Sequence, residues 1–252
     1  MSLALAHKRR VQAEGPAAAV RAGAEAMVYS SATALSSPAN GKKHLKLMED
    51  ALAVDLERIG AINSRELRQQ LKRDELLPKY LDYVQRYRDS GLSFQNSVVM
   101  QVLVWLFDTV QFEAGLDLAN FAIVQGQAMP ERFKRDVPTF VADAVIEWAE
   151  AEQKAGRSPE PYLSDLLPRL DGEHAEWQLT EQIPAKYHKL IGIRAMAAKD
   201  WAKAITHFER ATELHAAVGV GTRLEGARKA LAKELAESRR ITDYPPGEKL
   251  WM

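Results

Sequence analysis

The chain has 252 residues, enough for one large domain or two small ones with a buried core. Its 34 Lys and Arg balance 34 Asp and Glu, so no global positive field draws it to nucleic acid or to an anionic membrane, and any polyanion site has to be local. Cysteine is absent, which excludes disulfide frameworks, thiolate zinc sites and cysteine nucleophiles.

Residues 1–41 read as a flexible arm tipped by Lys8, Arg9 and Arg10, because Ala, Ser, Gly and Pro dominate and few large apolar side chains offset the entropy of ordering. Leu3–Ala6 precedes these charges, whereas a secretory signal places its charges first, so no export is expected. Order is expected from Lys42, where Leu45, Met48, Leu52, Leu56 and Ile59 recur at helical spacing behind Lys42, Lys43 and Lys46. Asn63 with Glu66 matches a capping box and predicts a helix from Ser64 that carries Arg65, Arg68, Lys72 and Arg73 on neighbouring rows and stops before Pro78. A third helix follows with Tyr80, Val84 and Tyr87, ending at Gly91. Val98–Phe107 is nearly all apolar but about half the roughly 20 residues of a membrane span, so it predicts a buried core helix.

An internal echo follows. Phe112, Gly115, Leu116, Ala119 and Ala122 match Trp201, Ala204, Ile205, Phe208 and Ala211 at a constant offset of 89 residues, each set opening after a short polar turn and a preceding helix. Small residues at fixed places in paired helices resemble tetratricopeptide-type hairpins, although a plain bundle explains the spacing as well. Between the copies, Pro138 and Thr139 open a helix with Val141, Val145 and Trp148. Strand signals are scarce. The expected fold is therefore all-α: a helical bundle with tetratricopeptide-like hairpins, a flexible N-terminal arm and a C-terminal tail. Its expected parts are an arm at 1–41, an N-terminal helical domain at 42–156, a linker at 157–184 where Pro159, Pro161, Pro168, Gly172 and Pro184 accumulate, a C-terminal helical domain at 185–240 and a tail at 241–252. In that tail Pro245-Pro246-Gly247 precludes a helix, and Tyr244, Leu250 and Trp251 are the anchors of a docking peptide or of a segment that folds back on its own domain.

Charge is uneven along the chain: residues 1–90 net +4, residues 91–200 net −6 and residues 201–252 net +2, which points to the N-terminal third as the polyanion-facing part. No nucleotide-triphosphate loop is present. Ser36–Lys43 comes nearest, with Ser36 in place of the first glycine and Lys43 in place of the hydroxyl residue. No histidine pair has the four-residue ligand spacing, His207 and His215 being eight apart, so no metal site is expected. Asp143, Glu147 and Glu150 share a helical face that reads as solvated rather than catalytic. Trp105, Phe112, Trp148, Trp201 and Phe208 read as core. An interaction protein outranks an enzyme on these residues, and no catalytic residue and no cofactor is expected.

The ordered set Glu75-Leu76-Leu77-Pro78, Val98–Ala119 with Met100, Trp105-Leu106, Asp108 and Gly115-Leu116, then Met129-Pro130, Phe133-Lys134-Arg135 and Pro138-Thr139 with Val141-Ala142 resembles the small terminase subunit of peduovirus-type temperate tailed phages. The likeness continues through His188-Lys189, Gly192, Arg210-Ala211 and Gly219-Val220. It implies recognition of packaging-site double-stranded viral DNA, self-assembly into a homo-oligomer such as a ring, presentation of DNA to the large terminase subunit with its ATPase motor, and a place in the host bacterial cytoplasm. The same family is often labelled an endonuclease subunit, and under that alternative a divalent metal would be required. Granted the resemblance, the helix after Asn63 is the expected DNA-facing element, with Arg65, Arg68, Lys72 and Arg73 neutralising phosphates, Lys42, Lys43 and Lys46 adding to the same field, and Lys8, Arg9 and Arg10 on the arm.

Overall fold

A computed structural model of the chain describes residues 33–173 and 175–242. Lys8, Arg9 and Arg10 on the arm and Tyr244, Leu250 and Trp251 on the tail lie outside these residues. Among the described residues every regular element is helical, and no helix is long and apolar enough to cross a membrane.

Helix α1 (Pro38–Ala61) begins earlier than expected, so residues 38–41 belong to it and not to the arm. Ser37-Pro38, inside the stretch expected to be arm, is a cap followed by a first-turn proline: the Ser37 hydroxyl accepts from the Asn40 N–H at 3.3 Å. The helix α2 (Arg65–Leu71) does not stop before Pro78 either. It runs through a π turn at Lys72–Leu76 into α3 (Leu77–Asp89), the Leu77 N–H reaching back five residues to the Lys72 carbonyl. A wider turn at this point accommodates the missing proline N–H without ending the helix. Asp55 locks α1 to α3: its buried carboxylate accepts from the Tyr80 hydroxyl at 2.8 Å, from Lys79 at 2.5 Å and from Arg58 at 3.0 Å. Burial raises its pKa, but these donors outweigh burial and hold it below the usual carboxylate range.

Helix α4 (Ser97–Asp108) is buried at every position from Val98 to Phe107. Asn96 caps it, accepting from the Val99 N–H at 3.2 Å while donating to the Tyr83 hydroxyl at 2.9 Å. Around it pack α1, α3, α5 (Phe112–Val124) and α6 (Val137–Lys154), the last capped by Asp136, which accepts from the Thr139 N–H at 2.9 Å.

The stretch 157–184 is not a linker. It holds α7 (Tyr162–Leu170), whose Leu163, Leu166 and Leu170 enter the main core together with Trp177 and Ile183. The composition misleads because Pro161 directly precedes α7 and Pro184 lies in the first turn of α8 (Gln182–Ala197), positions where a helix tolerates proline. Tyr187 of α8 also joins the main core and donates to the Ala142 carbonyl at 2.8 Å. Further along α8, Ala195 belongs to a smaller cluster with Ala204 and Phe208 of α9 (Trp201–Leu214) and Ala227 of α10 (Gly221–Thr242). One helix therefore serves both apolar clusters.

The echo is visible in the backbone. Val110 and Lys199, one offset apart, both take positive φ, 62° and 61°, and both turns close by the same two bonds, Val110 N–H to Phe107 O with Gln111 N–H to Leu106 O, and Lys199 N–H to Met196 O with Asp200 N–H to Ala195 O. The same turn also closes α5 at Gly126 and α6 at Gly156, so it does not by itself mark a repeat. Each hairpin is drawn together at a glycine. A Cβ on Gly115 would stand 2.9 Å from the Phe107 ring, and one on Gly192 would stand 2.6 Å from the Phe208 ring.

A polar cluster fastens α8 to α9. Arg210 makes two hydrogen bonds to Asp171, both at 2.7 Å, and holds its pKa below the usual range. The ionised Asp171 accepts a hydrogen bond from His188 Nε2–H at 3.0 Å, which leaves His188 Nδ1 to accept from His207 Nδ1–H at 2.9 Å. His207 thus partners His188 across the hairpin and not His215 along its own helix. Burial lowers both histidine pKa values, that of His207 to about 4.

Gly192→Ala is expected to cost about 1–3 kcal/mol because Phe208 has to move, while Gly226→Ala, at an open position of α10, should gain about 0.5–1 kcal/mol. Urea midpoints measure both, and a Gly192→Ala protein as stable as the parent would contradict this packing. Both histidines bind protons less readily folded than unfolded, so the stability from their neutral forms is present above about pH 6.5 and lost as the pH falls toward 4. The double variant His188→Gln, His207→Gln should show a shallower loss of stability between pH 7 and pH 4, a range that spans the shift, than the parent, and parallel curves would contradict the cluster's role.

Candidate nucleic-acid interface

Helix α2 is capped by Ser64 and not by Asn63: the Ser64 hydroxyl accepts from the Leu67 N–H at 3.3 Å and donates to Glu66 at 2.8 Å. The chain's own Glu66 thus occupies the first turn, where an anion would otherwise gain most from the helix dipole. Of the four cations expected to face DNA, two are committed elsewhere. Lys72 is buried and pairs with Asp108 at 2.6 Å, tying the π turn to the end of α4, and Arg68 Nε donates to the Ile62 carbonyl at 2.5 Å. Arg65 and Arg73 are exposed. Helical periodicity gave the surface rows, but it could not say which row packs against the neighbouring helix.

Lys42, Lys43 and Lys46 are exposed in the first turns of α1, with Lys46 paired to Asp50 at 2.9 Å. From Lys42 to the end of α1 at Ala61 the axis runs about 28 Å, more than three screening lengths at physiological salt. These lysines and the α2 arginines do not act as one field.

Arg65 instead opens onto a cleft of about 680 Å³ between the α4–α5 turn, the loop before α6 and the outer face of α6. Three further cations line it, Arg132, Lys134 and Arg135, all exposed and all from that loop. Phe133 fixes the loop by packing on Phe140 at 5.4 Å, and Phe140 packs on Phe107 at 5.6 Å. Arg132 lies 4.8 Å from the Phe133 ring and donates to Gln101 at 2.6 Å, while Arg135 pairs with Asp143. Lys134 makes no ion pair among the described residues. Helical periodicity does not pick out this loop, whose sequence signal is three cations in the four residues 132–135 around one aromatic. Phe112 and Trp148 continue the floor, their rings 4.8 Å apart, which makes these aromatics part of the packed wall.

Three carboxylates share the cleft, Asp108, Asp143 and Glu147, whereas Glu150, placed with the latter two by spacing, lines a different groove. Asp108 and Asp143 are held by Lys72 and Arg135. Among the described residues no three His, Asp or Glu side chains gather in an arrangement that could hold a metal ion.

The family model described as phage small terminase subunit matches residues 50–181, more than half of the chain. A protein of Haemophilus phage HP1 named "Probable terminase, endonuclease subunit" is 36% identical over 163 residues, covering 65% of this chain and 57% of its own length. The "Terminase, endonuclease subunit" of Escherichia phage P2 is 31% identical over 180 residues, 71% of either chain. No solved structure matches. The cleft, built from residues between Arg65 and Ala151, falls wholly inside the matched segment, and Lys42, Lys43 and Lys46 fall outside it. The chain belongs to the phage small terminase subunit family.

Proposed function

We propose that this chain binds packaging-site double-stranded viral DNA and presents it to the large terminase subunit in the host bacterial cytoplasm, with the α2 and cleft face as the DNA-contacting surface. The observation that carries the reading is that the family-matched segment folds so that exposed cations from two distant stretches, Arg65 and Arg132–Arg135, line one cleft. Arg65, Arg73 and Lys134 are the phosphate contacts; Arg132 and Arg135, braced by Gln101 and Asp143, set the position of the loop. Lys72 and Arg68 support this face from inside and do not touch DNA.

Three phosphate contacts on a chain of zero net charge give weak binding per copy. Function on this reading therefore rests on a homo-oligomer, in which several copies engage one duplex and gain by effective concentration without new contacts. The tail anchors Tyr244, Leu250 and Trp251 are suited to docking on the next protomer or on the large subunit, and Lys8, Arg9 and Arg10 are suited to trailing along the backbone.

A second reading is that the chain cuts the packaging site with a divalent metal. The relatives' names favour it, as does the presence of Asp108, Asp143 and Glu147 in the same cleft as the cations.

The triple variant Arg65→Glu, Arg73→Glu, Lys134→Glu is expected to flatten the slope of log affinity against log salt by about 3, since each phosphate contact contributes about 0.9, with circular dichroism unchanged. An unchanged slope would remove this face from the interface. Cleavage of packaging-site DNA by the purified chain with magnesium, lost on Asp143→Ala and Glu147→Ala, would establish the second reading instead.

A further inference from the structure

Beside the last turns of α6, between them, α8 and the first turn of α10, lies a separate groove of about 380 Å³. Lys154, Lys186, Lys189 and Arg223 line it against one carboxylate, Glu150. This concentration stands out in a chain of balanced charge whose residues 91–200 net −6. Lys189 is fixed by donating to the Val218 carbonyl at 2.8 Å. Lys154, Lys186 and Arg223 are exposed and have no ion-pair partner among the described residues, whereas Arg58, Arg157, Arg194, Arg210 and Arg228 each have at least one. Four like charges against the single carboxylate of Glu150 leave an excess of positive charge that a further anion would offset. The first turn of α10 holds no acidic residue to serve as that anion.

We propose that this groove is a second phosphate site that takes the backbone of the same nucleic acid, a proposal that rests on the DNA-binding reading above. Its chemistry suits phosphate: three lysines supply point charges that neutralise a phosphodiester from any approach. Its place fits as well. Helix α6 carries Arg135 just before its start and Lys154 at its end, and its 18 residues span about 27 Å, close to eight nucleotides at about 3.4 Å each. A duplex laid along α6 meets the cleft cations at one end and the groove at the other. Lys186, Lys189 and Arg223 lie beyond residue 181, so three of the groove's four cations come from helices outside the family-matched segment, while Lys154 comes from α6 inside it.

The test pairs a small probe with DNA. Inorganic pyrophosphate, titrated against methyl-labelled protein, should shift the Leu190 and Ile193 resonances in the parent and not in the triple variant Lys154→Glu, Lys186→Glu, Arg223→Glu. The same variant should bind packaging-site DNA at least tenfold more weakly at low salt, with the salt slope flattened by about 3, one step of about 0.9 for each cation removed. Pyrophosphate shifts with unchanged DNA binding would overturn the backbone assignment. Absence of shifts in the parent would overturn the site itself, even if the cleft variant loses DNA and the functional reading stands. Loss of large-subunit co-purification with DNA affinity intact would overturn the proposal in favour of an acidic protein partner.

Discussion

The main core of this molecule is arranged around one requirement: α4 is buried on all sides and has to be enclosed. Ten successive residues, Val98 to Phe107, are buried. A helix of this kind cannot lie on a surface, so neighbours have to cover its whole circumference. Helices α1, α3, α5 and α6 do so, and Tyr80 of α3 packs edge-on against Trp105 at 5.7 Å. Where α4 ends, the enclosure opens. Asp108 turns outward to pair with Lys72, the α4–α5 turn follows, and the cleft begins with Phe107 and Phe112 in its wall. The cleft is thus the place where covering helices diverge around the end of the central one.

Electrostatics then divides the cations by what they face. Those beside the core are consumed in holding the fold: Lys72 on Asp108, Lys79 and Arg58 on Asp55, and Arg210 on Asp171. Removing one partner of such a pair leaves a partly buried charge uncompensated, a cost well above that of a surface pair. The cations without such duties, Arg65, Arg73, Lys134, Lys154, Lys186 and Arg223, are exposed. A zero net charge therefore coexists with local surfaces able to neutralise phosphates, because screening confines each field to about 8 Å at physiological salt.

Much of the fold was legible because its helices are strongly periodic or strongly apolar. The α4 and α9 helices follow directly from Val98–Phe107 and Trp201–Leu214, and the expected boundary at Pro138-Thr139 is the start of α6. Proline was the main source of error. Pro38, Pro78 and Pro184 each sit in a first helical turn, so what read as interruptions are helix starts or, at Pro78, a continuation through a π turn. The sites were less legible for a different reason. Spacing identifies residues that share a helix face but is silent on the partner opposite, so Lys72 and Arg68 looked like Arg65 and Arg73. The groove formed by Lys154, Lys186, Lys189 and Arg223 joins residues from three helices, and His188 meets His207 only because α8 and α9 pack at Gly192. No local pattern encodes either meeting.

The central claim is that the face built from α2 and the loop before α6 contacts DNA. Photo-crosslinking of the full chain to packaging-site duplex carrying reactive thymine analogues, with adducts located by peptide mass spectrometry, reads that contact without altering a residue. The account predicts adducts on the peptides that contain Arg65–Arg73 and Arg132–Arg135. Adducts confined to α9, or to the Lys42–Lys46 end of α1, with none on those two peptides, would contradict it.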